Sequence, residues 1–158
     1  TIMSNLGFIK ACETSGIHVV QTQVGDKYVF SKMRETKASL GGEQSGHLIL
    51  ADLLPSGDGL LASLQLMDML MQSKQSLSSA VSLCQPFPQL LKNLRVKDKK
   101  VTMCAPYLQE VIHEVEEKLA HEGRVLVRAS GTENLIRVMV EASTQETCEY
   151  YVDRKSVV

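Results

Sequence analysis

The sequence predicts an α/β fold in two parts: a first unit with a mixed, partly parallel sheet, then a small α+β domain of order β-α-β-β-α. Apolar strand patterns alternate with helical patterns through the first half. Two prolines within Cys84–Pro88 form a stiff linker. In the second half, one helix with a regular apolar stripe lies between strand patterns. We therefore expect two domains, residues 1–84 and 85–158.

The first unit is expected to begin with a helix that Ser4 caps and that ends at Gly16. Its apolar residues are expected to point inward: Leu6, Phe8, Ile9 and Cys12. The β-branched segment Ile17–Gln23 predicts a strand. After a turn, Lys27–Arg34 predicts a short helix.

The rest of the first unit is expected to alternate loops with regular elements. Leu40-Gly41-Gly42 opens a glycine-rich loop that leads into an apolar strand, His47–Leu50. A second loop covers Asp52–Gly59, where proline, serine and glycine favour turns. The helix Leu60–Ser73 is apolar nearly all round, so we expect it to be buried on more than one side.

The second unit is expected to begin with a strand at Leu90–Val96. A helix then begins at Pro106 and is stopped by Gly123. Its apolar residues recur at spacings of three and four and form one stripe: Leu108, Val111, Ile112, Val115 and Leu119. A last helix covers Thr144–Lys155. Between the two helices, two strands are expected to form a hairpin.

This hairpin pairs Val125–Ala129 with Leu135–Ala142 around a loop, Gly131–Asn134. The predicted register gives one apolar face with three facing pairs: Val125 with Val140, Val127 with Val138, and Ala129 with Ile136. On the other face, Arg128 lies opposite Arg137. Like charges directly opposite each other destabilise a sheet. The pair therefore indicates an anion bound between the arginines.

The hairpin loop carries further groups suited to phosphate. The planar fork of Arg128 or Arg137 binds two oxygens at once. Ser130 and Thr132 offer hydroxyl donors, and Gly131 allows successive backbone N–H groups to approach an anion closely. The alternative is a solvated hairpin whose arginines point at water or pair with nearby carboxylates, namely Glu133 and Glu141.

Two segments of the first unit are also candidates. Glycines bracket four polar side chains that suit a polyhydroxylated ligand: Glu43, Gln44, Ser45 and His47. The alternative is a structural glycine-rich turn with a surface glutamate. Gly25, Asp26 and Lys27 lie where a strand turns into a helix, which can place an ammonium and a helix N-terminus near an anion. The alternative there is a capped turn.

Composition excludes several classes of protein. A formal charge of −1, from 17 Lys and Arg against 18 Asp and Glu, excludes a basic nucleic-acid footprint. An apolar share of 44% excludes long disorder. No apolar run reaches the roughly 18–20 residues that span a bilayer. The remaining histidines are expected on the surface: His18, His113 and His121. The cysteines are expected to be free thiols of a cytosolic protein: Cys12, Cys84, Cys104 and Cys148.

Two of these segments carry a resemblance to a known family. Gly41–His47 resembles the sugar-recognition loop of the α-D-phosphohexomutases, and Arg128–Arg137 resembles their phosphate-binding loop. Met3–Gly7, Val24–Val29 and Gln44 resemble the bacterial branch that acts on glucosamine phosphates. The motifs lie in the family's order about 85 residues apart, and the resemblance covers nearly the whole chain.

The resemblance implies an architecture of four domains around one cleft. This chain would be the C-terminal part of domain three, with its sugar loop, followed by domain four, with its phosphate loop. The phosphoserine and the Mg²⁺ loop of the family would lie in the first two domains. Since the chain opens without an initiator Met, we expect it to begin inside a larger polypeptide. No catalytic nucleophile and no metal ligand is assigned here, and the chain alone is predicted to be inactive.

By resemblance, the whole enzyme interconverts glucosamine 6-phosphate and glucosamine 1-phosphate for cytoplasmic UDP-N-acetylglucosamine and peptidoglycan synthesis. Glucosamine 1,6-bisphosphate would be its intermediate and activator, and Mg²⁺ its metal. The implied sugar-binding residues are Glu43, Gln44, Ser45, Gly25, Asp26 and Lys27. The implied phosphate-binding residues are Arg128, Ser130, Gly131, Thr132 and Arg137. His47 is placed near the reacting end, as a proton-handling or supporting group.

The implied partners are a hexosamine phosphate and the N-terminal domains of the same polypeptide; a homodimer is left open, and no nucleic acid or membrane is expected. Two residues depart from the family pattern: Asn134 replaces a proline, and Lys27 replaces an arginine. The alternatives are a phosphomannomutase or phosphoglucomutase fragment, a non-catalytic phosphosugar-binding module, and a purely structural interaction domain.

Overall fold

The computed structural model describes residues 1–120 and 122–154 and divides the chain into two compact units. The first unit ends at Gln85 and the second begins at Pro86. His121 and the Lys155 end predicted for the last helix lie outside the described residues. None of the described helices has both the length and the apolar character needed to cross a bilayer.

The first unit contains four helices and two short strands among its described residues. In chain order these are α1 (Leu6–Thr14), α2 (Asp26–Thr36), β1 (Leu40–Gly42), β2 (Leu48–Leu50), α3 (Gly59–Ser73) and α4 (Leu77–Val81). Strands β1 and β2 pair antiparallel, and a small core forms where α2 packs on them. Its buried members are Val29, Met33 and Ile49.

Helix α1 confirms the first predicted helix, with two corrections. Its cap is Asn5 rather than Ser4, since the Asn5 side chain accepts a hydrogen bond from the Gly7 amide at 2.8 Å. Ile9 is buried as predicted, but Phe8 is 45% exposed because it lies at the edge of the apolar stripe. The inward orientation predicted for Phe8 is therefore wrong.

The strand predicted at Ile17–Gln23 does not form in the described structure. The described segment has no regular secondary structure; the Ile2 amide donates to the Thr22 carbonyl at 2.8 Å, but no paired strand forms there in the described residues. A strand needs a ladder of such bonds with a neighbour. The partly parallel pairing predicted for this unit is likewise absent from the described ranges. The short connection between β1 and β2 permits only an antiparallel pair.

Helix α3 confirms its predicted bounds but not its predicted burial. None of its residues is buried, and Leu60 and Met71 are 74% and 78% exposed. An all-round apolar helix with this exposure offers a large apolar surface. The short helix α4 was not predicted, because five residues are too few for a periodic pattern to show.

The second unit confirms the predicted α+β arrangement. Its elements are β3 (Gln89–Arg95), α5 (Lys99–Met103), α6 (Pro106–Leu119), β4 (Gly123–Ala129), β5 (Leu135–Ala142) and α7 (Gln145–Arg154). The strands form one antiparallel sheet of order β3-β5-β4, so β5 is central. Residues of α6 and α7 pack on one face of this sheet and form the core with it. The mixed α/β class predicted for the chain is confirmed.

Two details of the second unit differ from prediction. Gly123 begins β4 and does not stop the helix; α6 ends at Leu119, and Ala120 turns the chain with a φ of 44°. Helix α5 was not predicted. Asp98 caps it by accepting hydrogen bonds from the amides of Lys100 and Val101.

Candidate functional site

The hairpin of β4 and β5 has the register predicted from the sequence. Val125 pairs with Val140 and Val127 with Val138, on the face that packs into the core. On the other face, Arg128 lies directly opposite Arg137, and both residues are half-buried. The predicted juxtaposition of two like charges is therefore present in the structure.

One hydrogen-bond donor of Arg137, its Nε–H group, has no partner in the described structure. Its Nε atom is buried and makes no hydrogen bond within the described part of the chain. Buried polar atoms are nearly always paired, and those that are not call for an explanation. An anion between the two arginines would accept from this atom and would separate the like charges.

The loop that joins the two strands is held by its own hydrogen bonds. The Ser130 amide donates to the Leu135 carbonyl at 2.9 Å and closes the loop, as predicted. The buried Ser130 hydroxyl accepts from the Glu133 amide at 3.3 Å, so its own proton is free to donate to a ligand. Thr132, by contrast, is exposed. The two hydroxyls therefore differ: Ser130 organises the loop and Thr132 faces solvent.

Three backbone amides of this loop are unused. In the described structure, the N–H groups of Gly131, Thr132 and Asn134 donate to no acceptor in the protein. A Cβ atom added to Gly131 would meet nothing within 4 Å, so the backbone there is open to a ligand. Successive free amides next to arginines make an anion-binding concavity.

Sequence reasoning missed one residue at this hairpin. The Lys99 ammonium donates to three loop carbonyls: to Ser130 at 2.7 Å, and to Gly131 and Glu133 at 3.3 Å each. Lys99 is the first residue of α5, more than 30 positions earlier in the chain. No local pattern in the sequence indicates such a contact.

In the first unit, Glu43 begins the turn between β1 and β2. Its amide donates to the His47 carbonyl at 3.0 Å, and its carbonyl accepts from the Gly46 amide at 3.0 Å. Gly46 has a φ of 94°, a conformation that favours glycine. The Glu43 side chain is only 11% exposed, whereas Gln44 and Ser45 are exposed.

The structure brings two predicted segments of the first unit together through Glu43. Its Oε1 atom accepts a hydrogen bond from the Gly25 amide at 2.8 Å. Gly25 precedes α2 with a φ of 128°, which explains glycine at that turn. Asp26 and Lys27 lie on the exposed first turn of α2, with the Lys27 ammonium 4.7 Å from the centre of the Tyr28 ring. This hydrogen bond therefore joins the two candidate segments.

His47 lies beside the same carboxylate but is open to solvent. Its Nδ1 atom is 3.1 Å from the Ser45 hydroxyl and 4.0 Å from the second oxygen of Glu43, Oε2. The His47 side chain is 68% exposed. Glu43 is thus fixed at one oxygen by Gly25, while its other oxygen faces the side of His47 and Ser45.

Gly41 has a packing role in this hairpin. A Cβ atom there would lie 2.2 Å from Met33 Sδ and 2.7 Å from a methyl group of Val29. The close approach of β1 to α2 therefore requires glycine. The predicted loop at Leu40–Gly42 is in fact the strand β1.

The remaining described histidines and the cysteines differ in their exposure to solvent. His18 and His113 are exposed, as expected. All four cysteines are free, as predicted, and the raised pKa of the Cys148 thiol follows from its burial. In residues 1–120 and 122–154, no three His, Cys, Asp or Glu side chains are grouped to hold a metal ion.

Comparison with known proteins accounts for both units. The family model for the phosphoglucomutase/phosphomannomutase α/β/α domain III matches residues 1–87, and that for the C-terminal domain of the same family matches residues 91–155. The phosphoglucosamine mutases of Bacillus cytotoxicus and Bacillus cereus are 52% and 51% identical to this chain over 98% of its length. The chain spans 34% of the length of each of these relatives.

Solved structures share the fold at low sequence identity. N-acetylphosphoglucosamine mutase of Aspergillus fumigatus matches 96% of this chain and 36% of its own length, with a TM-score of 0.84 and 17% identity. An N-acetylglucosamine-phosphate mutase in its product complex matches 99% of this chain and 37% of its own, with a TM-score of 0.78 and 19% identity.

The family models therefore define the class as domain III and the C-terminal domain of a phosphohexomutase, and the solved structures share the mixed α/β fold. Within that class, the chain belongs to the phosphoglucomutase/phosphomannomutase family.

Proposed function

We propose that this chain is the sugar- and phosphate-recognising part of a phosphoglucosamine mutase. The whole enzyme would interconvert glucosamine 6-phosphate and glucosamine 1-phosphate through glucosamine 1,6-bisphosphate. Support comes from the name of relatives that are 52% and 51% identical over nearly the whole chain. In this proposal, residues 1–84 belong to domain three and residues 85–158 to domain four of the enzyme.

The unpartnered Nε atom of Arg137, opposite Arg128, is the observation that carries the proposal. A phosphate bound there would accept from both guanidinium groups and from the free amides of Gly131 and Thr132. Ser130 would add its hydroxyl proton. Charge-assisted hydrogen bonds of about 1.5–3 kcal/mol each, less the cost of ordering, give roughly millimolar affinity for this part of the enzyme alone.

The loop of the first unit is proposed to bind the sugar. The Gly25 amide holds the Glu43 carboxylate in place through Oε1, which leaves Oε2 to accept from a sugar hydroxyl. Gln44 and Ser45 are exposed beside it and offer an amide and a hydroxyl. Asp26 and Lys27 extend the same surface.

Positioning and charge neutralisation supply most of the catalysis in phosphoryl transfer. The proposed role of this chain is therefore to hold the ligand while other domains supply the phosphoserine. His47 is proposed to handle a proton or to support Glu43, which lies 4.0 Å away. A nucleophile is not assigned to any residue of the chain.

The proposed roles of Mg²⁺ and a bisphosphorylated sugar rest on solved relatives of the same fold that bind them. One solved relative is described as a complex with GlcNAc-6P and magnesium, and another as a complex with glucose 1,6-bisphosphate. The side chains described in this structure do not form a site that fits a metal ion. We therefore place the Mg²⁺ ligands in other domains of the enzyme. The cytoplasm is the proposed location, since the product would feed UDP-N-acetylglucosamine synthesis there.

Titration of the 158-residue chain with glucosamine 6-phosphate, in phosphate-free buffer and followed by NMR, tests the proposal. We expect saturable binding that Arg137→Ala weakens by about tenfold or more, since at least one charge-assisted hydrogen bond is lost. The control is Arg34→Ala, which removes an exposed guanidinium from α2. Equal affinity for the wild-type chain and Arg137→Ala would contradict the phosphate site.

The same titration with two further ligands tests the sugar assignment. Glucose 6-phosphate lacks the amine, and N-acetylglucosamine 6-phosphate carries it in acetylated form. The proposal expects glucosamine 6-phosphate to bind most tightly and to shift the resonances of Glu43–Ser45. Tighter binding of glucose 6-phosphate would instead favour the phosphoglucomutase alternative, and no sugar discrimination would favour a simple phosphate-binding module.

A further inference from the structure

Lys99 contacts the hairpin loop of the second unit in an unusual way. Its ammonium donates to the backbone carbonyls of Ser130, Gly131 and Glu133. An ammonium has three donors and no acceptor, so these three bonds match its full capacity. The neighbouring Lys100 is exposed and makes no such contact in the described structure.

The direction of these three carbonyls determines where the next three amides point. In a planar trans peptide, the C=O group of one residue and the N–H group of the following residue point in opposite directions. Carbonyls turned toward Lys99 therefore turn the amides of Gly131, Thr132 and Asn134 away from it. These are the three loop amides that donate to no acceptor in the described structure.

We propose that Lys99 is a positioning residue for the phosphate site, and this inference rests on the proposed function. The Lys99 ammonium holds three peptide planes so that their N–H groups face the ligand and their carbonyl oxygens face away. Without it, rotation of a peptide plane would present a carbonyl oxygen to the phosphate and repel it. The positive charge of Lys99 also lies behind the loop, where it favours an anion on the other side.

The test compares variants of two adjacent lysines in the 158-residue chain. Lys99→Met keeps the aliphatic stem and removes the charge, and Lys100→Met is the matched control on the same helix. We expect Lys99→Met to weaken binding of glucosamine 6-phosphate by about tenfold, since misdirected amides forfeit at least one charge-assisted hydrogen bond. The control should bind within about twofold, because surface charges contribute little.

Two measurements distinguish a positioning role of Lys99 from a loss of the fold in Lys99→Met. Residual dipolar couplings of the Gly131, Thr132 and Asn134 N–H bonds report their directions, and we expect these to change in Lys99→Met but not in Lys100→Met. Amide exchange at β5 reports whether the sheet stays intact. Lys99→Arg restores a cation with several donors, and we expect it to recover most of the affinity.

The outcomes distinguish this inference from the proposed function. If the wild-type chain and Lys99→Met bind the phosphosugar equally, Lys99 has no positioning role, whereas the phosphate site stands. If the wild-type chain itself does not bind glucosamine 6-phosphate, the proposed function fails, and the inference that rests on it fails too. If Lys99→Met lowers affinity while its N–H directions remain those of the wild type, the positioning account is overturned in favour of charge alone.

Discussion

Arg128 and Arg137 lie directly opposite each other on β4 and β5, and the Nε atom of Arg137 is buried without a hydrogen-bond partner in the described chain. Both features are unfavourable in the free protein. Like charges that face each other weaken a sheet, and an unpaired buried donor costs about 1–3 kcal/mol. The hairpin therefore forgoes stability at the place where we propose that phosphate binds.

Replacement of Arg137 by methionine should stabilise the free second unit. The change removes the facing charge and the unpaired Nε, and we expect roughly 0.5–2 kcal/mol of added stability in phosphate-free buffer. Hydrogen exchange at the β5 amides measures this for the second unit alone. Lys100→Met, at an exposed position of α5, is the control and should change stability by less than about 0.5 kcal/mol. A clear loss of stability in Arg137→Met would show that the guanidinium is already satisfied.

The hydrogen bond from the Gly25 amide to the Glu43 carboxylate should keep the backbone at Gly25 ordered. Glu43→Ala removes the acceptor of the Gly25 amide and should lower the protection of that amide against exchange by about fivefold, or ~1 kcal/mol. Glu43→Gln keeps an acceptor oxygen and should retain most of the protection. Unchanged exchange at Gly25 in the alanine variant would mean that the hydrogen bond does not persist in solution.

Gly41 should be intolerant of any side chain. Since a Cβ atom there would lie 2.2 Å from Met33 Sδ, we expect Gly41→Ala to destabilise the first unit by roughly 1–3 kcal/mol. Thermal unfolding measures the effect. Gly59→Ala is the matched control, because nothing lies within 4 Å of its added methyl group.

A double variant then tests the physical reason. If the clash is with Met33, Gly41→Ala combined with Met33→Ala should be less destabilised than the sum of the two single variants. If the destabilisation of the double variant equals that sum, the effect of Gly41→Ala comes from the backbone rather than from a clash with Met33.

The cysteines should differ in reactivity and in their effect on pH-dependent stability. Cys104 is exposed, whereas Cys148 is fully buried, donates to the Pro88 carbonyl at 3.2 Å and has a pKa raised by burial. We expect alkylation of the native chain to reach Cys104 first and Cys148 last, as mass spectrometry of timed samples would show.

The sign of the pH effect follows from the same shift. The pKa of Cys148 is higher in the folded chain than in the unfolded one, so the unfolded chain loses the thiol proton first. Stability should therefore fall as pH rises past about 8.5. Cys148→Ala should flatten this part of the profile, and Cys104→Ala should leave it unchanged. An identical profile in both variants would contradict the assignment to Cys148.

The sequence predicted the hairpin well because its information is local. Alternation along Val125–Ala129 and Leu135–Ala142, with the turn residues between them, sets one register, and a slip by one residue would put the arginines into the core. The packing of the first unit was less predictable. Helix α3 has the composition of a buried helix, yet none of its residues is buried in the described structure.

Contacts between distant segments could not be predicted. The hydrogen bond from the Gly25 amide to Glu43 joins residues 18 positions apart, and Lys99 reaches Ser130 across 31 positions. Neither leaves a periodic pattern in the sequence, since each depends on how separate elements pack. The candidate residues themselves were found from their chemistry and spacing, whereas Lys99, which we propose to position the loop amides, was not.

The Arg137 Nε–H resonance offers the most direct test of the central claim, that phosphate binds between the facing arginines. It is followed by ¹⁵N NMR as glucosamine 6-phosphate is added to the 158-residue chain, with glucosamine as the control ligand. We predict a saturable downfield proton shift and slower exchange with the phosphosugar, together with shifts of the Gly131 and Thr132 amides, and no change with glucosamine. An Arg137 Nε–H signal that stays in place at saturating glucosamine 6-phosphate would contradict the claim.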